Sequence, residues 1–413
     1  MNVSTIFILI IAFLLFDFFF GLTLDFLNAS RRDNNVPDGF QDVYDADRYR
    51  KAMEYDRVNQ RFSLISGTFS LVLLLVGLFT DFFATLELFC TAQSTSEIVK
   101  TLYFAGIIAL ISGVISLPFS IYHTFVIEER FGFNKMKPKT FILDLIKSVF
   151  LTAILGGGLI AALVTFYQYA GEDFWLYAWI LISVIMIFFS MFYTSLIVPL
   201  FNKLSPLPEG ELRDAISKFA AEAGFHLKNI YMIDGSKRSS KANAYFSGFG
   251  KGKKIVLYDT LIKDITTDET VAVLAHEAGH FHLKHMLIGL FSGLFQTAVL
   301  LFIFSLFIDS SLLSQSLGGS EVSFRLNALA FAFLFSPIST VLGILGSIVS
   351  RRHEYRADAY AASKGQGENL ISSLKKLSVN HLSNLRPHPL YVFVHYSHPP
   401  LISRINAIRK LNY

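Results

Sequence analysis

Seven apolar stretches recur along the 413 residues of the chain, and they restrict it to a membrane-spanning architecture. A helix needs about 20 predominantly apolar residues to cross the hydrocarbon core of a bilayer. The stretches lie at residues 6–24, 64–86, 102–121, 149–169, 174–200, 286–308 and 326–349. Only 16% of the residues are charged, whereas soluble proteins carry about 25%. The sequence therefore predicts a mostly α-helical integral membrane protein with a bundle of seven transmembrane helices.

Basic residues alternate between the predicted loops, and this alternation predicts an orientation. Lys and Arg cluster in the loops after the first and third stretches, whereas the loop after the second has Lys100 alone and residues 170–173 have none. Loops rich in Lys and Arg remain in the cytosol. We therefore expect the N-terminus outside, and both the hydrophilic insert and the C-terminal segment in the cytosol.

The pattern divides the chain into four parts. An N-terminal membrane domain with five transmembrane helices is followed by a cytosolic insert, two further transmembrane helices and a cytosolic segment that completes the active site: residues 1–201, 202–285, 286–349 and 350–413. Within the insert we predict a helix at residues 209–223 and two strands at residues 229–233 and 254–258. A second helix opens at Asp268, runs through His276 and His280 and approaches the sixth span.

Charge and cysteine content exclude two classes of protein. The net charge is only +4 and no basic run is present, so we expect no nucleic-acid surface. Cys90 is the single cysteine, which excludes an internal disulfide framework and a cysteine-rich metal site. A metal ion would therefore be held by histidines and carboxylates.

The sequence HEAGH at residues 276–280 predicts a zinc site. Side chains four residues apart share one face of a helix, so His276 and His280 can bind one Zn²⁺ per chain with Glu277 beside it. Zinc lowers the pKa of its water, and Glu277 is placed to take that proton and pass it to the leaving amine. A catalytic zinc ion normally has three protein ligands and a water, so a third ligand is needed.

Glu354 is the predicted third ligand. It lies four residues before Asp358 on a predicted helix after the last apolar stretch. This spacing allows Glu354 to bind zinc while Asp358 accepts the outer N–H of a ligating imidazole. His353 is a rival ligand, but it faces about 100° away from Glu354. The same residues would also suit a solvated charged turn at the membrane exit.

Two further polar segments are candidates for substrate contact. Residues 239–250 are polar and rich in glycine, and an extended substrate could pair with an edge at Asn243 and Ala244. An ordinary hairpin would show the same pattern. Near the C-terminus, His398 and Arg404 flank a Pro-Pro turn at a predicted helix start, where they could face the zinc and stabilise an oxyanion.

Taken together, these motifs resemble the type I CAAX prenyl endopeptidases, which are multi-pass membrane zinc metallopeptidases. The resemblance rests on HEAGH, on EYRAD at residues 354–358, on SSKANAYFSGFG at 239–250 and on SHPP at 397–400 with the following arginine. It extends to FVIEERFGFNK at 125–135 and PLFNK at 199–203, so it covers most of the chain and keeps the order of the motifs.

The resemblance implies a fold and a role for each candidate residue. The implied fold is a seven-helix bundle that encloses a water-filled intramembrane chamber, closed on the cytosolic side by an α+β zincin-like domain. The implied roles are zinc ligands for His276, His280 and Glu354, general base for Glu277, support of a ligand for Asp358, substrate edge for Asn243 and Ala244, and active-site contact for His398 and Arg404. The implied activity is endopeptidase cleavage near the C-terminus of prenylated CAAX proteins or other membrane-associated substrates.

Length and loop size predict a bacterial-type member of that family, because the chain is shorter than we expect of eukaryotic members. The corresponding location is a bacterial inner membrane, or the endoplasmic reticulum membrane in a eukaryote. The expected partners are the lipid bilayer and a peptide or lipidated-protein substrate, with no obligate protein partner.

Two other functions fit parts of the pattern. A quality-control metalloprotease for membrane proteins would share HEAGH, although five spans before that motif argue against it. A transporter or scaffold with structural zinc is disfavoured, because structural zinc normally has four protein ligands.

Overall fold

The computed structural model describes residues 2–223, 230–248 and 254–411. The predicted strand start at residue 229 and the end of the 239–250 segment lie outside those residues.

Eight helices form the N-terminal half of the described chain: α1 Val3–Ser30, α2 Ala46–Phe79, α3 Phe82–Gln93, α4 Glu97–Tyr122, α5 Glu129–Phe131, α6 Pro138–Ala170, α7 Phe174–Leu196 and α8 Val198–Phe201. A π-helical turn, His123–Glu128, joins α4 to α5. The side chains of Asn2, Asp45 and Ser96 cap the N-termini of α1, α2 and α4. Asp81, at a φ of 53°, separates α2 from α3 inside the stretch predicted as one span.

The insert combines helices with one four-stranded sheet. Its elements are β1 Leu204–Pro206, α9 Glu211–Glu222, β2 Ile230–Ile233, β3 Ala244–Ser247, β4 Lys254–Tyr258, α10 Asp259–Asp264 and α11 Thr267–His282. The strand order is β1-β2-β4-β3, with β2 parallel to β4 and the other two pairs antiparallel. Both predicted strands are present as β2 and β4. Strand β3 lies at an edge of the sheet, as expected for a segment that pairs with an extended substrate.

The remaining helices are α12 His285–Ser305, α13 Ser311–Ser316, α14 Phe324–Ala361, α15 Gly367–Asn380, α16 Pro389–His395 and α17 Leu401–Lys410. A π-helical turn, Ala362–Gln366, joins α14 to α15. Helix α14 continues well beyond the last apolar stretch, so Glu354 and Asp358 lie on it as predicted.

By length and composition, six helical segments of the described chain can cross a membrane: Val3–Ser30, Ala46–Phe79, Glu97–Phe131, Pro138–Phe201, His285–Ser305 and Phe324–Asn380. The fourth segment contains both α6 and α7. These two helices reverse direction at Gly171, whose φ is 55°, and the Phe166 and Tyr177 rings meet 5.8 Å apart across the turn. A helix is therefore present at each of the seven predicted stretches.

The largest buried core lies outside the apolar spans, where α2, α9, α11, α15 and α17 pack together. Tyr49 on the polar first turns of α2 is fully buried there, in one cluster with Leu274 of α11 and Leu370 of α15. The sequence did not predict these polar turns as helical. The HEAGH helix is thus held inside a packed core next to the membrane helices.

Candidate metal centre

Helix α11 begins with a capping box that fixes its register. The Thr266 hydroxyl accepts a hydrogen bond from the Glu269 backbone N–H at 3.3 Å, and Glu269 Oε2 accepts one from the Thr266 N–H at 2.8 Å. The helix starts at Thr267, one residue before the predicted start at Asp268, because Thr266 and not Asp268 supplies the cap. Lys376 of α15 also donates to Glu269, so the start of α11 is anchored from two sides.

Gly279 lets α11 approach α14 closely. A Cβ atom at this position would lie 3.0 Å from Ala357 Cα and 3.1 Å from Tyr360 Cβ, which is tighter than ordinary van der Waals contact. The absence of a side chain at Gly279 therefore brings the HEAGH face against the part of α14 that carries Glu354 and Asp358.

Three side chains converge at this contact. His280 Nε2 lies 3.1 Å from His276 Nε2 and 3.1 Å from Glu354 Oε1, and His276 Nε2 lies 3.5 Å from Glu354 Oε2. Among the described residues, these three form the group whose ligand atoms all lie within 4.8 Å of one another. A tetrahedral ion with bonds of 2.0–2.1 Å needs ligand atoms about 3.3 Å apart. Both the donor atoms and their spacing fit zinc.

Asp358 lies directly behind His276. Its Oδ1 is 2.9 Å from His276 Nδ1, and Arg404 donates two hydrogen bonds to the same carboxylate at 2.9 and 2.6 Å. Asp358 is 1% exposed and Arg404 is 8% exposed. The sequence predicted that Arg404 could face the zinc and stabilise an oxyanion. In the structure its guanidinium pairs with the buried Asp358 carboxylate, and its Nη1 also lies 3.5 Å from Glu354 Oε2. The oxyanion role stays a prediction.

His398 does reach the open side of the site. Its Nδ1 lies 2.9 Å from Glu354 Oε2, yet its side chain is 65% exposed. The contact with Glu354 raises the pKa of His398, while burial acts in the opposite direction. His398 is thus placed to donate a hydrogen bond to a bound substrate.

Glu277 is not one of the three converging side chains, but it lines a cavity next to them. Burial raises the pKa of the Glu277 carboxyl group, and the nearby His276 and His280 partly offset that rise. A carboxylate of raised pKa is better suited to accept and return a proton near neutral pH.

Asn243 and Ala244 lie at the start of the edge strand. The Asn243 carbonyl accepts a hydrogen bond from the Tyr258 N–H at 3.0 Å, so its backbone faces β4. Alternate residues of an antiparallel strand face opposite edges, so the backbone groups of Ala244 face the free edge. The Asn243 carboxamide accepts the Ala244 N–H at 2.8 Å. Tyr245 and Phe246, which follow on β3, line the cavity beside the converging side chains.

That cavity has a volume of about 950 Å³ and extends from the converging side chains between α12 and α14. Its far part is lined by apolar side chains that include Phe295, Leu342 and Leu345. An apolar chain attached to a peptide would therefore have space directly beside the metal ligands.

Sequence reasoning missed two histidines near the site. His285 contacts His280, and His381 Nε2 accepts a hydrogen bond from the Ala242 N–H at 3.0 Å, directly before the edge strand. His353, the rival third ligand, stacks on His285 with ring centroids 3.9 Å apart and is not one of the converging side chains. No pattern in the sequence could show these contacts, because each depends on how separate elements pack.

Membrane helices surround an apolar cavity in which two histidines and a glutamate converge beside the Glu277 carboxylate. These features define a multi-pass membrane metallopeptidase. Two family models match the chain: "CAAX prenyl protease N-terminal, five membrane helices" over residues 25–203, and "Peptidase family M48" over residues 206–412. The chain belongs to the CAAX prenyl protease family within peptidase family M48.

Curated relatives and a solved structure agree with this placement. The chain is 33% identical to CAAX prenyl protease 1 of Saccharomyces cerevisiae, over 91% of this chain and 89% of that protein. It is 32% identical to the CAAX prenyl protease 1 homolog of Homo sapiens, over 91% of this chain and 89% of that protein. The crystal structure of S. mikatae Ste24p superposes with a TM-score of 0.93 at 33% identity, covering 98% of this chain and 99% of that one.

These likenesses confirm the predicted family, the membrane-chamber fold class and the predicted activity as a membrane metalloendopeptidase. The relatives named here are eukaryotic, so the prediction of a bacterial-type member has no support. The comparisons also give no support to a quality-control protease or a transporter.

Proposed function

We propose that the chain is a zinc endopeptidase that cleaves a C-terminal peptide from prenylated CAAX-type proteins while their lipid remains in the membrane. The observation that carries this proposal is the continuity of the cavity: the same 950 Å³ space contains His276, His280 and Glu354 at one end and apolar side chains of α12 and α14 at the other. The names of the relatives support the substrate class.

Each side chain has a chemical role in this proposal. His276, His280 and Glu354 hold Zn²⁺, which when bound supplies a Lewis acid that polarises the scissile carbonyl and lowers the pKa of a water molecule. Glu277 takes a proton from the attacking water and returns it to the leaving amine. An N–H of His398 donates to the oxygen on which negative charge develops. The Asp358–Arg404 pair holds His276 in place.

The edge strand gives the substrate a direction. A second cavity, of about 660 Å³, lies on the other side of His398 and is lined partly by polar residues such as Asn59, Ser378 and His381. His381 is bonded to Ala242 at the start of the edge, whereas Tyr245 and Phe246 further along the edge line the apolar cavity. In a CAAX sequence the lipidated cysteine precedes the residues that are removed. The lipid therefore occupies the apolar cavity, and the departing peptide extends towards the polar one.

The loop charges support a cytosolic position for this site. The loop between α1 and α2 and the segment between α4 and α6 are rich in Lys and Arg, and basic loops remain in the cytosol. The insert lies on the same side as those loops.

The role of Glu277 is tested by Glu277→Gln in the full chain in detergent. Cleavage of a farnesylated CAAX peptide should fall by at least about 100-fold because the base is lost, while zinc content stays near one ion per chain. The matched control is Asp268→Asn, an exposed carboxylate on the same helix, which should retain activity. If Glu277→Gln loses zinc together with activity, Glu277 is a ligand and the proposed roles are wrong.

The role of the lipid is tested by comparing the farnesylated peptide with its unprenylated twin. Burial of the prenyl group contributes about 0.8 kcal/mol per CH₂, so kcat/KM should be much higher for the farnesylated peptide. Equal values would show that the apolar cavity does not bind the lipid, and the proposed substrate class would fail.

A further inference from the structure

His285 supports His280 from the side opposite the converging side chains. His285 Nδ1 lies 3.1 Å from His280 Nδ1, while His280 Nε2 points to His276 and Glu354. His285 is buried, with 6% of its surface exposed. The outer nitrogens of the two HEAGH histidines therefore have different partners. His276 has the Asp358 carboxylate, and His280 has the imidazole of His285.

A break in the helix makes this contact possible. On one continuous helix, residues five apart would point about 140° away from each other. Helix α11 instead ends at His282, and Lys284 adopts the left-handed conformation with φ 58° and ψ 28°. The chain turns there, and the first residue of α12 folds back onto the face that carries His280.

His353 fixes the ring of His285 from α14. The two imidazoles stack at 3.9 Å between centroids with an angle of 6° between their planes. His353 directly precedes Glu354, so the stack ties His285 to the helix that carries the third converging side chain. Within the described residues, His285 Nε2 is buried without a hydrogen bond. The polar contact of His285 is therefore the one with His280.

We propose that His285 is a positioning residue for His280. His285 Nδ1 accepts the Nδ1–H of His280, which leaves the lone pair of His280 Nε2 directed at the metal position. A bond of this kind fixes the tautomer and ring orientation of a ligating histidine. This inference rests on the proposed zinc site, and it adds a residue that sets how tightly the site holds zinc.

Two substitutions separate the hydrogen bond from the stack. His285→Phe keeps a ring against His353 and removes the acceptor, so zinc affinity of the full chain in detergent should fall about 10- to 100-fold. His285→Asn gives up the ring but keeps an acceptor atom close to the position of Nδ1, so it should bind zinc about tenfold more tightly than His285→Phe. His353→Phe keeps a stacked ring without touching His280 and should change zinc affinity by no more than about twofold.

The measurements are zinc affinity by chelator competition, the absorption spectrum of the Co²⁺-loaded protein, and the Tm of the metal-free protein as a check of folding. Wild-type zinc affinity in His285→Phe would overturn the inference, and a loss confined to His285→Asn would indicate ring packing alone. Equal losses in the two variants would also overturn it, because the acceptor atom kept by Asn would then have no effect. His276→Ala and Glu354→Ala are included in the same series. If they leave zinc affinity unchanged, the zinc site is wrong and the inference fails with it. If they abolish binding while His285→Phe keeps wild-type zinc affinity, only the inference fails.

Discussion

The Asp358–Arg404 pair connects the C-terminal helix to the metal centre. Arg404 comes from α17 and Asp358 from α14, and their two hydrogen bonds meet directly behind His276. Removing one partner of a buried ion pair costs about 3–5 kcal/mol, because the remaining charge is left unpaired. A change at Arg404 should therefore affect both stability and the metal site.

We expect Arg404→Met to lower the Tm of the protein and to weaken zinc binding about 10- to 100-fold, through loss of orientation of His276. Differential scanning fluorimetry and chelator competition measure the two effects. Arg409→Met, on the exposed side of the same helix, serves as the control. A variant that keeps its Tm and zinc but loses kcat would instead support the oxyanion role that the sequence suggested for Arg404.

At this scale the sequence predicted the converging residues and one of their supports, Asp358, but not the others. His276, His280 and Glu354 follow from helical spacing and from the ligand number of catalytic zinc. Arg404 was found as a candidate, but its direction depends on a contact between α14 and α17. His285 was missed because its contact depends on a left-handed residue, Lys284, which carries no turn signal.

The contact between α11 and α14 is the element that assembles the site. At Gly279 the two helices are close enough that an added Cβ would meet backbone atoms of Ala357. Backbone cannot move aside as a flexible side chain can, so a larger residue must push α14 away and carry Glu354 with it.

Gly279→Ala should therefore weaken zinc binding, even though alanine raises helix propensity by about 1 kcal/mol. Overpacking at such a site typically costs about 1–3 kcal/mol, and zinc affinity measured by chelator competition should fall by at least about fivefold. Gly343→Ala on α14 is the matched control, since nothing lies within 4 Å of its added Cβ. Unchanged zinc affinity in Gly279→Ala would show that this contact does not set the position of Glu354.

The edge strand is fastened to the membrane helices by Lys241. Its ammonium group donates to Tyr55 and to Glu128 at 3.0 Å each, and it lies 4.3 Å from the centre of the Phe133 ring. The Ser240 N–H donates to the Phe133 carbonyl at 3.0 Å. The segment before β3 is therefore held by the loop that follows α4.

We expect Lys241→Met to lower kcat/KM for the farnesylated peptide about tenfold, because hydrogen bonds to charged groups contribute about 1.5–3 kcal/mol. Zinc affinity should stay unchanged, since Lys241 touches no converging side chain. Lys263→Met, an exposed lysine of the insert, is the control. A parallel loss of zinc would mean that Lys241 supports the metal centre and not the substrate edge.

The boundaries of the helices are where the sequence patterns failed to predict the structure. The apolar stretches predicted the membrane helices because lipid demands about 20 apolar residues. The polar first turns of α2 were missed because their helical conformation is stabilised by the core around Tyr49, and the break at Asp81 gives no signal in an apolar run.

At the scale of the molecule, the predicted orientation places the two ends of α14 on opposite sides of the membrane. The exposed Glu321 precedes the start of α14, whereas Glu209, with a side chain 92% exposed, lies in the insert. Native Cys90 is fully buried, so it should not compete for a thiol reagent.

Glu321→Cys should therefore react with a membrane-impermeant thiol reagent in intact cells, and Glu209→Cys only after permeabilisation. Mass-tag gel shifts measure both. Labelling in the reverse order would contradict both the orientation and the cytosolic position of the site.

Helix α14 also connects two fixed points. Near its start, Arg325 donates to Glu87 at 2.7 and 2.6 Å and to Glu97 at 2.7 Å, which ties it to α3 and α4. From there the helix continues without interruption to Glu354, a rise of about 43 Å at 1.5 Å per residue. The hydrocarbon core of a bilayer is about 30 Å thick. The metal centre is therefore carried by one long helix, with Pro337 in its interior, whose other end is held by these ion pairs.

Helix α14 thereby sets the distance between its ion-paired start and the metal centre. A lipid anchor stays at the depth that its hydrocarbon prefers, and the metal centre stays at the depth that α14 sets. The number of residues between the two therefore selects the bond that is cleaved. We expect selection by distance to tolerate many side chains beyond the lipidated residue. A bilayer of different thickness should change the difference in depth between the lipid and the metal centre, and with it the bond that is cleaved.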